Sequence, residues 1–231
     1  MTGPSWTLFL GSMAVLAGLV VVFARRTAAL LSAPESPIAD LSRGAVYLNV
    51  VVSHGLVLAV VLLAGWLTAV PLSTLGLDAM PPLGWLLGLL VGLVVLNEVA
   101  DRFLGGDENP LRDLLTPRSP TAWIALAVVV LPTVALSEEL LFRGALIGVA
   151  ATGTDLPPAV LVAGSGILFG AAHSAQGTRG VVAATVLGLL LGAAFHLTGS
   201  LLLVVLVHYA LDLAEFLLHR DQASPSSSRQ Y

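Results

Sequence analysis

Residues 137–144 read SEELLFRG, which places two adjacent glutamates and an arginine inside an apolar stretch. Glu139 and Arg143 have the i, i+4 spacing of an ion pair on one face of a helix. The side chain of Glu138 would point roughly 100° away from that face, so its carboxylate is available for another role. A carboxylate in such a position can act as a general base towards water.

A second polar group follows later in the chain. His208 and Asp212 share the i, i+4 spacing, so one helix presents an imidazole and a carboxyl group together. Helical rise places His173 and Glu138 at one level, both about 22 Å from the same loop. Because ionisable groups at membrane depth normally face a bundle interior, these residues predict one shared cavity. Such a set can activate water and stabilise an oxyanion, or bind a divalent metal that does the same work.

The elements that must position these residues are membrane helices. Of the 231 residues, 57% are hydrophobic and 10% are charged, whereas a soluble domain carries about 25% charged residues. The formal net charge of −4 is too small to indicate nucleic acid as a partner. The chain has no cysteine, which excludes disulfides and thiolate catalysis.

Apolar stretches long enough to cross a bilayer recur along the chain. We therefore predict an all-α, polytopic transmembrane helix bundle with seven or eight spans. Seven can be drawn, at residues 6–24, 45–70, 82–100, 121–152, 158–173, 180–197 and 200–218. The fourth would form about 48 Å of helix against roughly 30 Å of hydrocarbon. It must tilt, kink near Pro132 or begin outside the membrane.

The arginines predict an orientation in the cell membrane. Nine of the ten fall in loops on one side of the chain or in the tail: Arg25, Arg26, Arg43, Arg102, Arg112, Arg118, Arg179, Arg220 and Arg229. By the positive-inside rule this side is cytoplasmic, with the N-terminus outside and the C-terminus in the cytoplasm. The polar tail, residues 219–231, is predicted to be disordered.

Three motifs resemble those of the CAAX-protease and bacteriocin-processing (CPBP, or Abi) family of intramembrane peptidases. EELLFR at 138–143 fits EExxxR, FGAAH at 169–173 fits FxxxH, and HYALD at 208–212 fits HxxxN/D. The resemblance divides the chain into three segments. Residues 1–119 contain the first three spans and cytoplasmic loops, residues 120–218 form a catalytic-type core, and residues 219–231 are the tail.

The resemblance implies a role for each motif residue. Glu138 would activate the attacking water with the help of His173, and His208 and the residue at 212 would polarise the scissile carbonyl. Many relatives have Asn where this chain has Asp212. A carboxylate cannot donate a hydrogen bond to an oxyanion unless it is protonated, so Asp212 could instead orient His208 or bind a metal.

The resemblance also implies that Glu139 and Arg143 form a supporting ion pair. It leaves open whether the cofactor is none or one divalent metal, of which zinc fits best. The HExxH motif is absent. An acceptable zinc set would nevertheless be Glu138, His173, His208 and Asp212.

The predicted function is hydrolysis of a peptide or protein substrate near the cytoplasmic face, with membrane lipid as the other partner. The substrate class would be CAAX-type tails, or leader-peptide or bacteriocin-related precursors. Two alternatives stay open: a transporter or proton relay, which uses buried Glu, His and Arg equally well, and a non-catalytic membrane scaffold. His54 and His196 match no motif and are predicted to be packing or interfacial residues.

Overall fold

The structure, a computed structural model, describes residues 3–36, 38, 41–104 and 110–218, and no strand occurs among them. Its helices are α1 (Trp6–Leu31), α2 (Arg43–Leu67), α3 (Leu83–Leu104), α4 (Pro110–Leu115), α5 (Pro120–Gly153), α6 (Pro158–Ala172), α7 (Gly177–Thr198) and α8 (Leu201–Leu218). Short 3₁₀ turns lie at Leu72–Leu75 and Ser174–Gln176. The all-α prediction is confirmed, while the predicted disordered tail lies outside the described residues.

Each of the seven predicted spans overlaps a helix, whereas the short helix α4 was not expected. Five helices among the described residues are long and apolar enough to cross a membrane: α1, α2, α5, α8, and α7 with its preceding turn. The apolar helices Leu83–Val95 and Pro158–Ala172 are shorter. Large apolar side chains such as Trp66 and Leu197 are exposed on the bundle surface, as lipid contact requires. The chain is a membrane protein, and the number of its spans stays a prediction.

Helix α5 changes its hydrogen-bonding pattern along its length. It is π-helical over Leu126–Val130 and again over Leu140–Val149, with an α-helical segment, Leu131–Glu139, between them. The first π-helical stretch ends just before Pro132, which cannot donate to the helical ladder because it has no N–H. Such π-bulges inside α-helices often occur at functional sites. Here they flank the segment that carries both glutamates.

Helix α5 is also the central helix of the bundle. Helices α1, α2, α6 and α8 pack against it, and α8 in addition packs against α3. Leu140, Leu141 and Phe142 are almost completely buried as a result. A charged side chain that is fully buried on this part of α5, such as Arg143, therefore needs a partner inside the bundle.

Glycines allow α6 and α7 to approach each other closely. A Cβ atom added to Gly166 would lie 2.9 Å from the side chain of Leu189, and one added to Gly188 would lie 3.0 Å from the Cα of Gly166. Small residues at such contacts are typical of membrane helix pairs. The close approach fixes α6, and with it His173, which directly follows α6.

A backbone contact fixes the start of α8. Gly76 and Gly199 have φ angles of 76° and 66°, which favour glycine. The N–H of Leu201 donates to the carbonyl of Gly76 over 2.9 Å. Because His208 lies two turns further along α8, this contact between two loops helps to set its height in the bundle.

Candidate active site

The carboxylate of Glu138 lies at the centre of the site. Its Oε1 is 3.3 Å from Nε2 of His54. Its Oε2 is 3.7 Å from Nε2 of His173 and 3.9 Å from Nε2 of His208. Oε2 is buried and has no hydrogen-bond partner among the described residues. Three imidazoles therefore surround one carboxylate, and only one of its two oxygens accepts a hydrogen bond from them.

Separate helices supply these side chains: Glu138 from α5, His54 from α2, His208 from α8, and His173 from the residue after α6. Two of the rings are fixed through Nδ1. The Nδ1 of His173 bonds to the carbonyl of Phe169 at 2.8 Å, and that of His54 bonds to the carbonyl of Val50 at 2.9 Å. A carbonyl oxygen can only accept, so Nδ1 carries the hydrogen and Nε2 is directed towards Glu138 in both residues.

Glu139 has different surroundings from its neighbour. It is fully buried, and its Oε1 lies 3.0 Å from Nη1 of Arg143, which is fully buried as well. The same oxygen bonds to Nδ1 of His208 at 2.7 Å. The ion pair expected from the i, i+4 spacing is therefore present. Glu139 also orients His208, a contact that the sequence does not reveal.

Phe169 connects the ion pair with two of the histidines. The guanidinium carbon of Arg143 lies 4.2 Å from the centroid of the Phe169 ring, within the range of a cation–π contact. The ring centroids of His173 and His208 are 4.4 Å and 5.7 Å from it. Phe169 is the first residue of the FGAAH motif, so the sequence singles it out. Its contacts with Arg143, His173 and His208 are seen only in the structure.

Asp212 and His54 form the more open edge of the site. Oδ2 of Asp212 lies 3.5 Å from Nε2 of His208, and the Asp212 side chain is 26% exposed, against 3% for His208. His54 is 27% exposed. Glu215, one turn beyond Asp212, forms an ion pair with Arg112 at 3.7 Å. A substrate or a water molecule would therefore reach Glu138 past Asp212 and His54.

His54 was predicted to be a packing or interfacial residue, and the structure places it in contact with the site. His54 bonds to Glu138, which is 84 residues away in the chain. No motif marks it, and the only signal was a lone imidazole within an apolar span, where an unpartnered polar group is costly. His196, which was expected to behave in the same way, is exposed near the end of α7.

A metal site was one of the possibilities that the sequence left open. Among the described residues, no group of three or more His, Cys, Asp or Glu side chains is arranged to hold a metal ion. The four residues of the predicted zinc set are nevertheless brought together, with neighbouring donor atoms 3.5–3.9 Å apart, and the zinc set stays a prediction. The chemistry proposed below is derived from the protein side chains.

A buried glutamate that faces histidines from separate helices of a membrane bundle can carry out acid–base chemistry inside the membrane. The family described as type II CAAX prenyl endopeptidase Rce1-like matches residues 120–214. All three motifs lie in this segment, and the resemblance given above is confirmed. The match supports a membrane enzyme of the CAAX prenyl protease-like type. Neither the curated proteins nor the solved structures contain a match to the chain.

Proposed function

We propose that the protein is an intramembrane endopeptidase in which Glu138 activates the water that attacks a peptide carbonyl. The observation that carries this proposal is Oε2 of Glu138, which is buried, has no hydrogen-bond partner among the described residues and faces two imidazoles. Its distances of 3.7 and 3.9 Å to the imidazole nitrogens of His173 and His208 are too long for direct hydrogen bonds. They are within the reach of one bridging water molecule.

Hydrolysis then proceeds through a water molecule held between Glu138 and His173. The water gives a proton to Oε2 of Glu138 while its oxygen bonds to the carbonyl carbon. His208, with a proton on Nε2, donates to the oxyanion that forms. The C–N bond breaks as the proton passes from Glu138 to the leaving nitrogen, so the products are a carboxylic acid and an amine.

The residues around this centre have supporting roles. Glu139 fixes His208 through Nδ1 at 2.7 Å, and Arg143 neutralises the charge of Glu139 in the bundle interior. To Asp212 we assign the orientation of His208 before the oxyanion forms, because the Nε2 that later donates to the oxyanion lies 3.5 Å from Asp212.

The proposed substrate is a peptide or protein segment that carries a prenylated CAAX tail, as the name of the matching family indicates. Leader-peptide or bacteriocin-related precursors are the second substrate class. We place the cleavage near the cytoplasmic face, with the N-terminus outside and the C-terminus in the cytoplasm, because the arginine-bearing loops support that orientation. Residues 120–218 form the proposed catalytic core.

A cleavage assay in detergent tests the proposal with a fluorogenic peptide that ends in a farnesylated CAAX sequence, and with a leader-type peptide. Removal of a general base costs about 10²–10⁴-fold in rate, so Glu138→Gln is expected to lose cleavage while its melting temperature stays near that of the wild type. Asp155→Asn is the matched control, because Asp155 is exposed in the loop between α5 and α6. Full activity of Glu138→Gln would overturn the assignment.

Chelator treatment belongs in the same assay. Because the proposed mechanism uses only water and protein side chains, cleavage is expected to proceed unchanged with 1,10-phenanthroline. A loss of activity that Zn²⁺ restores would instead reassign Glu138 as a metal ligand.

A further inference from the structure

We propose that His54, which lies outside the family-matched segment, is a positioning residue that fixes the carboxylate of Glu138. This inference rests on the proposed function, in which Glu138 is the base. His54 lies in the middle of α2, and its Nε2 contacts Oε1 of Glu138 at 3.3 Å. The catalytic-type core would then depend on a side chain from the N-terminal helices.

The ring of His54 is held in a defined direction. Its Nδ1 donates to the carbonyl of Val50, one turn earlier in α2, over 2.9 Å. The hydroxyl of Ser53 lies 3.4 Å from the same nitrogen. With Nδ1 bound to the backbone of its own helix, Nε2 is the ring nitrogen that faces Glu138, and it donates to Oε1 when the ring is the doubly protonated imidazolium.

This contact makes the two oxygens of Glu138 different from each other. Oε1 is bonded to His54, whereas Oε2 faces His173 and His208 without a hydrogen bond. The terminal torsion of a glutamate side chain is broad and roughly two-fold, so an unheld carboxylate exchanges its oxygens and shifts within its cavity. The bond from His54 opposes that motion and keeps Oε2 directed at the attacking water.

The position of His54 favours this role over a purely structural one. Its side chain is 27% exposed at the open edge of the site, so it fills little of the core. Helix α2 packs along α5 beside both the Leu131–Glu139 segment and the following π-helical stretch. The backbone of α2 is thus held by many other contacts, and a substitution of His54 is expected to leave the fold intact.

Kinetics provide the first test. A displacement of about 1 Å can cost roughly 100-fold in rate, so His54→Leu is expected to lower kcat by up to about that factor while KM stays unchanged. His54→Gln, whose side-chain amide can donate to Oε1, is expected to recover most of the loss. His196→Leu is the matched control and should leave both constants unchanged, since His196 is exposed away from the site. A melting curve identifies any variant that fails to fold, and His54→Ala then replaces His54→Leu.

Chemical labelling provides a second test that does not require activity. A hydrophobic carbodiimide reacts with carboxyl oxygens, and mass spectrometry measures its reaction with Glu138. His54→Leu should label faster than the wild type, because Oε1 is no longer occupied, whereas His54→Gln and His196→Leu should label at the wild-type rate. If the wild type cleaves no peptide but this contrast holds, the proposed function fails and the positioning contact stands. Unchanged labelling and kcat in His54→Leu, or equal losses in His54→Leu and His54→Gln, would overturn the inference.

Discussion

The N-terminal helices and the family-matched segment contribute to the site in different ways. Residues 120–214 carry the three motifs and supply Glu138, His173 and His208. Helix α2 carries no motif, and yet His54 bonds directly to Glu138. In a membrane bundle, a helix can therefore complete a site with one inward-facing polar residue, and a family match then defines only part of the site.

The two regions also differ in how tightly they pack. In their most apolar windows, 17% of α1 and 11% of α2 is buried, against 44% of α5. A Cβ atom added to Gly18 or Gly55 in the N-terminal helices would meet nothing within 4 Å, whereas Gly166 and Gly188 lie in close helix contacts. The motif-bearing region is thus more closely packed than the N-terminal helices that surround it.

The largest effect that can test this comparison is expected at the buried ion pair. Arg143→Met breaks the buried ion pair and leaves the charge of Glu139 with only its bond to His208; breaking a buried pair typically costs about 3–5 kcal/mol of unfolding free energy. The double variant Arg143→Met with Glu139→Gln should recover part of that loss, because no unpaired charge remains and the amide oxygen can still accept from His208. Chemical denaturation in detergent measures both changes.

The N-terminal counterpart is Arg43→Met, which serves as the control. Arg43 is half-buried and donates to the carbonyl of Thr116 over 2.6 Å. Loss of a hydrogen bond to a charged group costs about 1.5–3 kcal/mol, and less where water replaces the partner. If Arg43→Met lost as much unfolding free energy as Arg143→Met, the difference in packing between the two regions would be contradicted.

Local spacing predicted the parts of this structure that depend on one helix alone. The helices follow from the apolar stretches, and the Glu139–Arg143 pair follows from its i, i+4 spacing. The contacts between His208 and Glu139 and between His54 and Glu138 join residues 69 and 84 positions apart. They depend on how each helix is rotated against α5, which the spacing within one helix does not encode.

The π-helical stretches of α5 could not be predicted from the sequence either. Over Leu140–Val149 the ladder shifts from the α-helical to the π-helical pattern, which changes the face that later residues present. No residue type in that segment requires this pattern. The packing of α1 and α6 around the same stretch accompanies it, and such tertiary contacts override local propensity.

A smaller effect is expected from the glycines. A Cβ atom at Gly170, in α6, would meet the hydroxyl of Thr185 and would lie 2.9 Å from the carbonyl oxygen of Val181. Overpacking of this kind typically costs about 1–3 kcal/mol. Gly170→Ala should therefore lower stability and also reduce cleavage, since His173 lies three residues further on.

Gly18→Ala in α1 is the matched change in the N-terminal helices. Its added methyl group would meet nothing within 4 Å, and alanine is favoured over glycine inside a helix by about 0.5–1 kcal/mol. Melting temperatures should move in opposite directions for the two variants. A destabilised Gly18→Ala would mean that α1 packs as closely as α6 does.

The smallest effect is expected from Asp212→Asn. His208 is already held through Nδ1 by Glu139 at 2.7 Å, and Asp212 lies 3.5 Å from Nε2 at the open edge of the site. Asparagine has nearly the same size, keeps one carbonyl oxygen and adds an N–H donor that can reach an oxyanion. The value of kcat/KM is therefore expected to change by less than about tenfold, which corresponds to roughly 1.4 kcal/mol.

Asp212→Leu provides the contrast, because it removes both the acceptor and any donor while the packing volume stays similar. It should lose more activity than Asp212→Asn, with the melting temperature of both variants near that of the wild type. Asp212 and His54 are both half-buried at the edge of the site, one from each region of the molecule. If folded Asp212→Asn cleaves no peptide while His54→Leu is fully active, the carboxylate of Asp212 takes part in the chemistry itself. The motif-bearing region would then contain the complete site, and α2 would only pack against it.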